Sequence, residues 1–217
     1  MKIRPEHLMI EGNCAAVVPL SMEHHDDLVE AVKDGELYTL RHVPVPEPEH
    51  VSAEIKRRLE LREKGTMVPF SVVERRSRKV VGLTSFLNMD AEARRIEIGS
   101  TWYRRAAQKT AINTECKFLL LQHAFENLNC RSVEFRTHIM NVQGRKAIER
   151  LGANLEGILC SDDAVANSFV RDTAVYSIFS DEWLTVKNKL LWRLENPRSA
   201  GESEAARETC EAELFFA

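Results

Sequence analysis

Long apolar runs are missing from this 217-residue chain. None approaches the ~18 residues that a membrane-spanning helix needs, so no membrane partner is expected. A dominant charge sign is missing as well. The formal net charge is -3, and without a strong basic field to release counterions a nucleic acid is not expected as partner. The glycine patterns of nucleotide enzymes are absent: there is no Gly-x-x-x-x-Gly-Lys-Ser/Thr and no Gly-x-Gly-x-x-Gly after a strand. Gly-x-Ser-x-Gly and His-Glu-x-x-His are absent too, so nucleotide hydrolysis, hydride transfer, serine hydrolysis and zinc hydrolysis lose support. Cysteines are few and odd in number: Cys14, Cys116, Cys130, Cys160 and Cys210 lack metal-ligand spacing. The start "MKIRPEHLMIEGN" lacks a signal peptide's apolar segment, so reduced thiols in a cytoplasmic protein are expected. His24, His25, Asp26 and Asp27 are adjacent on a helix; they diverge around its surface, and no metal site is expected.

What is present suits one core. With 44% hydrophobic residues and no repeat or low-complexity block, residues 1–195 are expected to form a single domain. Residues 196–217 form a polar, acidic tail expected to be loosely held. Short apolar "CAAVVPL" (14–20) fits a buried strand, and 23–35 follows with helical spacing at Leu28, Ala31 and Val32. Residues 51–65 read as an exposed amphipathic helix through Val51, Ile55, Leu59 and Leu61. Strand-like runs at 67–75, 79–89 and 94–103, separated by short polar turns, predict a β-meander. A helix from Ile112 to Asn127 with a stripe at Phe118, Leu119, Leu121 and Phe125 leads to a strand at 131–139. A compact helix at 141–152 stops at Gly152, two strands follow, and a helix at 180–194 opens on a Ser-Asp-Glu cap. The order predicts an α/β (α+β) domain built on one mixed sheet.

The stretch "TWYRRAAQKTAINTECKFLLLQHAF", Thr101 to Phe125, carries the main functional signal. A strand passes through a basic turn into a helix, and a helix start offers unpaired N–H groups and the positive dipole end. Gln108, Lys109, Thr110, Ala111, Ile112, Asn113 and Thr114 can cradle a phosphate, with Arg104 and Arg105 adding charge. A capped helix with solvated basic residues explains the same pattern.

These residues, with "RRIEIGSTWY", "NVQGRKAIERLGA" and "RDTAVYSI...EW" in that order, resemble the GNAT superfamily of acyl-CoA-dependent N-acetyltransferases, and more closely its RimJ/RimL-like branch. The resemblance covers residues 8 to 190. It implies a mixed, mostly antiparallel sheet of about seven strands with helices on both faces. It implies acetyl-CoA as cofactor, its pyrophosphate on Gln108 to Thr114 and its pantetheine arm along Trp102 and Tyr103. The family's Gln/Arg-x-x-Gly-x-Gly/Ala turn maps onto Gln108, Ala111 and Asn113, so both glycines are replaced; asparagine tolerates unusual backbone angles and alanine is small. Asn141 matches the asparagine that meets the pantetheine side, and it equally suits a helix N-cap.

The reaction implied is direct attack of a neutral primary amine, of a protein N-terminus or a small molecule or antibiotic, on the acetyl thioester. An alkylammonium with a reference pKa of ~10.4 must first lose a proton. Glu97 on the fourth expected strand is the first candidate base, with a solvent-facing strand glutamate as the alternative. His138, closing the next strand, is the second. The branch's usual acids are lost: Ile148 stands at the tyrosine position and Gly144 at the serine position. Tyr176 is a substitute acid or a core residue with a satisfied hydroxyl. A non-catalytic acyl-CoA-binding module on the same fold is the rival reading, and a homodimer is left open. Acceptor specificity is expected in loops 36–50 and 161–170, where Asp162 and Asp163 suit a cationic amine or a solvated turn.

Overall fold

The computed structural model describes residues 8–39, 45–164 and 170–196, and the side chains of all of these except 161–164, 170 and 171. The expected tail, part of each specificity loop, and the side chains of Asp162 and Asp163 lie outside the described residues. The described strands are β1 (Ile10–Glu11), β2 (Ala15–Pro19), β3 (Met67–Glu74), β4 (Lys79–Asp90), β5 (Arg95–Tyr103), β6 (Ser132–His138), β7 (Asn154–Ala164) and β8 (Val170–Phe179). The helices are α1 (His25–Lys33), α2 (Val51–Glu63), α3 (Ala111–Gln122), α4 (Val142–Glu149) and α5 (Trp183–Glu195). None of the described helices is long and apolar enough to cross a membrane.

One eight-stranded sheet runs in the order β1-β2-β3-β4-β5-β6-β8-β7. The strand beyond the expected seven is the two-residue β1, too short to show a period of two. Every pairing is antiparallel except β5 with β6. Alternation along the strands loads two cores, one on each face. Trp102 joins Leu28, Val32 and Ile55 under α1 and α2; its neighbour Tyr103 joins Phe118, Leu120 and Leu190 under α3 and α5.

Three expected details are corrected. Helix α3 is buried almost all round from Glu115 to Leu121, not along one stripe, because α5 covers its outer side. Trp183 stacks on Phe125 at 5.2 Å and lies 6.3 Å from Phe118. Helix α5 begins without a side-chain cap. Its Glu182 turns back instead, accepting from the Phe179 N–H and from Asn154 Nδ2, each at 2.8 Å. Helix α2 is less exposed than its charges suggest, since Arg58 is 1% exposed.

The feature that positions a site is the parallel pair. β5 and β6 bond only from Arg95–Glu97 to Ser132–Glu134, after which the two strands diverge and open a cleft toward α3 and α4. A parallel neighbour requires a crossover, and α3 supplies it.

Candidate acetyl-CoA site

At the divergence β5 carries a bulge: its register against β4 shifts between Leu83 and Ser85, and Ser100 adopts a positive φ of 48°. That conformation is costly for a residue with a Cβ and needs outside support. Arg58 of α2 provides it by donating from Nη1 to the Ser100 carbonyl at 3.1 Å and to Ser85 Oγ at 3.3 Å. Its Nε is paired with Glu54 at 2.7 Å. In a trans peptide the N–H of Thr101 points opposite to the Ser100 carbonyl, so the guanidinium fixes that amide facing away from α2.

The cleft has a volume of about 470 Å³ and is bounded by 98–103 of β5, the 108–109 turn, α3, and the stretch from Phe135 through α4 to Leu151. Six of the ten predicted cofactor residues line it: Trp102, Tyr103, Gln108, Lys109, Asn113 and Asn141. Thr110 instead caps α3, its Oγ1 accepting from the Ile112 N–H at 3.3 Å and donating to the Ala107 carbonyl at 2.7 Å. Ala111, Ile112 and Thr114 are not in the wall, and the Ile112 side chain is buried in the core. The first-turn N–H groups at this helix start are what such residues can offer an anion.

The lost glycines have a definite answer. Ala111 and Asn113 both lie in α3, so neither needs an unusual backbone angle; the positive φ of 59° falls on Lys109. Gln108 braces the turn, donating to the Tyr103 carbonyl at 3.0 Å and meeting Gln143 of α4 at 3.4 Å. Asn141 is an N-cap and a cleft residue at once. Its Oδ1 accepts from the Gly144 N–H at 2.9 Å and its Nδ2 donates to Thr137 Oγ1 at 3.1 Å. A Cβ on Gly144 would stand 2.5 Å from the Asn141 amide nitrogen, which excludes a serine there without moving the cap.

None of the three candidate catalytic residues lies in the cleft wall. Glu97 is buried rather than solvent-facing, 6% exposed, accepting from Asn88 Nδ2 at 2.7 Å and ion-paired with Arg136 at 3.6 Å. His138 accepts the Met140 N–H at Nδ1 in the turn before α4. Tyr176 is fully buried; its hydroxyl donates to Glu149 at 2.8 Å and accepts from Arg145 at 2.9 Å. Burial raises its pKa, so it takes the core role of the two left open by the sequence.

Two buried cations were missed. One is Arg58. The other is Lys117, 6% exposed, which reaches from α3 to the opposite side of the bulge region and lines the cleft. Its ammonium donates to Thr101 Oγ1 at 2.7 Å and Thr84 Oγ1 at 3.2 Å. Burial pushes its pKa down to about 8 against the opposing pull of Cys116 and Glu97. A lone lysine inside "CKFLLL" was the available signal. Behind the sheet opening, Arg136 also borders a second depression with Asn88, Asp90 and Glu92.

The cleft fits an acyl-CoA. Trp102 Nε1 is a buried donor without a partner among the described residues, and Tyr103 Oη faces only the weakly bonding Cys116 thiol. These two atoms lie on opposite faces of the sheet; what the wall offers a ligand with carbonyl and amide groups is the β5 edge at 98–103, where pairing with β6 has ended. Lys109 and the α3 start would hold phosphate, Asn141 and the β5 edge the pantetheine, and the bound donor supplies an activated acetyl group.

Comparison with known proteins agrees. Residues 16–154 match the family model of the acetyltransferase (GNAT) domain. A GCN5-related N-acetyltransferase from Brucella melitensis is 29% identical with a TM-score of 0.79, covering 93% of each chain. The ribosomal-protein-S5-alanine acetyltransferase from Vibrio fischeri shares 16% identity at TM-score 0.64, over 81% of this chain and 98% of that one. The microcin C7 self immunity acetyltransferase MccE, solved in complex with acetyl-CoA and AMP, shares 16% at TM-score 0.66, over 77% and 93%. The last two show likeness of fold alone. No curated protein gave a significant match. The chain belongs to the GNAT acetyltransferase family, whose members use acetyl-CoA as donor.

Proposed function

We propose that this protein is an N-acetyltransferase of the RimJ/RimL-like branch, working in the cytoplasm, that moves the acetyl group onto a primary amine by direct attack in a ternary complex. The observation that carries it is the opening of β5 and β6 onto two depressions that share Arg136. Donor and acceptor can then meet beside Arg136, where β5 and β6 diverge. Asp90 and Glu92 share the second depression with Arg95 and Arg136, a surface of mixed charge offered to a polar acceptor, either a protein N-terminus or a small-molecule amine. Glu97, oriented by Asn88 and Arg136 at that opening, is placed to take the ammonium proton through water. The Thr101 amide, fixed by Arg58 through the Ser100 carbonyl, suits the oxygen that gains charge during attack.

A second reading, a non-catalytic acyl-CoA-binding module, is favoured by Ile148 and Gly144, which leave α4 without a hydroxyl acid. One experiment separates them: calorimetric titration with acetyl-CoA, followed by thiol release with peptide N-termini, polyamines and aminoglycosides. Binding with amine-dependent release is expected, and binding without release from any amine class would favour the module. Replacing Gln108 or Asn113 by alanine is expected to weaken donor affinity about tenfold, since each loses a polar contact worth on the order of 1 kcal/mol. Unchanged affinity would remove the phosphate assignment.

A further inference from the structure

Lys117 is a buried cation that no step above uses. Its direct partners are the two threonine hydroxyls, Thr84 Oγ1 and Thr101 Oγ1, themselves 2.8 Å apart. The carboxylate it feels, Glu97 of β5, is already engaged by Asn88 and Arg136; from its own helix it feels the Cys116 thiol. A buried ammonium held only by neutral acceptors lacks local compensation, and an anion forming in the cleft would supply it. The other ionisable groups described in the wall fit less well. Arg136 is ion-paired with Glu97 and Glu134, burial pushes Tyr103 well above the phenol range, and Lys109 lies in the turn before α3.

Resting on the acetyltransferase reading, we propose that Lys117 is the general acid of this enzyme, protonating the departing coenzyme A sulfur from beneath the β5 bulge in place of the hydroxyl that α4 lacks. As the acceptor nitrogen bonds to the acetyl carbon and the carbon–sulfur bond breaks, the electron pair goes to sulfur and the Lys117 ammonium gives it a proton. The proton shed by the acceptor nitrogen returns to the neutral lysine through solvent, so the cycle balances. A donor whose affinity for protons approaches that of a thiol near pKa ~8.5 transfers with little free-energy change.

The test is the titration of bound coenzyme A, followed by thiolate ultraviolet absorbance, in the wild type, Lys117→Met and Lys117→Arg, with S-methyl coenzyme A affinity as a control. In the wild type the bound thiol should titrate about one unit below the free one, because a cation within hydrogen-bonding distance favours thiolate. Lys117→Met should lose the shift, bind S-methyl coenzyme A within about threefold, and lose kcat by about a hundredfold. Lys117→Arg should keep the shift without recovering kcat, since guanidinium does not release its proton. Wild-type affinities for coenzyme A and its S-methyl analogue should diverge as pH rises toward 8, a readout that needs no variant. Equal thiol titration in wild type and Lys117→Met, with binding retained, would overturn the role of Lys117 alone. Failure of the wild type to bind S-methyl coenzyme A would overturn the donor site itself and the proposal with it.

Discussion

Three backbone N–H groups converge on the Glu115 carboxylate, from Asn13, Cys14 and Ala15, each at 2.7 Å. This single residue ties the β1–β2 hairpin to α3, the helix whose start is proposed to hold the donor phosphate. The side chain is 4% exposed, and its bonds to the Cys14 thiol and these amides outweigh burial to hold its pKa below the usual glutamate value. The same carboxylate and desolvation push Cys14 up to about 12, so that thiol is an inert structural group. A lowered carboxylate pKa stabilises the fold above the unfolded value of ~4.3, and the contribution disappears as pH falls through the folded value. Glu115→Gln is expected to cost about 1–3 kcal/mol at pH 7, read by denaturant unfolding, with the gap from wild type closing at acid pH. A gap independent of pH would assign the effect to packing instead. Nothing in "NTECK" announced this role, because the three donors lie about a hundred residues away.

Among the elements, β5 is the one whose local geometry the site depends on. Its bulge places Ser100 in a strained conformation that Arg58 supports from α2, and Gly99 beside it leaves room that a Cβ would deny to Glu97 Oε1, 2.6 Å away. Arg58→Met is expected to lower kcat by about 10²–10³ while donor affinity changes about threefold or less, as for loss of a preorganised dipole rather than of a binding surface. Glu54 would keep its two-point pair with Arg57 at 2.7 and 2.8 Å, so the stability cost of the single variant should come from the lost support of the Ser100 carbonyl and not from an uncompensated carboxylate. Equal losses of affinity and rate would place the arginine's role in shaping the cleft. The strands, helices and turn-to-helix junction were legible in the sequence because period, caps and glycine stops are local properties. Arg58 is not, since a helix written "AEIKRRLELRE" looks solvated until the sheet beneath it is known, and Lys117 leaves only its lone charge in "CKFLLL" as a signal. Glu97 follows from the resemblance, His138 from its titration range and Tyr176 from a hydroxyl on the last strand; the long-range partners Arg136, Glu149 and Arg145 decide where the polar atoms of Glu97 and Tyr176 point.

On the proposed reading the sheet opening separates the two substrates. The donor cleft opens toward α3 and α4, the second depression lies by Asn88 to Glu92, Gly65 and Arg95, and Arg136 of β6 belongs to both. In the donor wall the ionisable side chains are Tyr103, Lys109, Lys117, Arg136 and Arg150, with no cysteine among the described residues that line it, and Lys117 is held by two threonines. The proposed direct transfer requires both substrates to be present together. Initial rates with both substrates varied should give intersecting double-reciprocal lines; parallel lines would demand an acetylated intermediate and locate it by mass. Donor binding alone should already stabilise the fold, since α3, α4 and β5 all contribute residues to the cleft that it would bridge. At a hundred times its dissociation constant the donor should add about 2.7 kcal/mol to unfolding free energy, and the acceptor should add a further increment only when the donor analogue is present. Equal stabilisation by acceptor alone would mean that the second depression is a complete site by itself, and that the sheet opening does not couple the two sides.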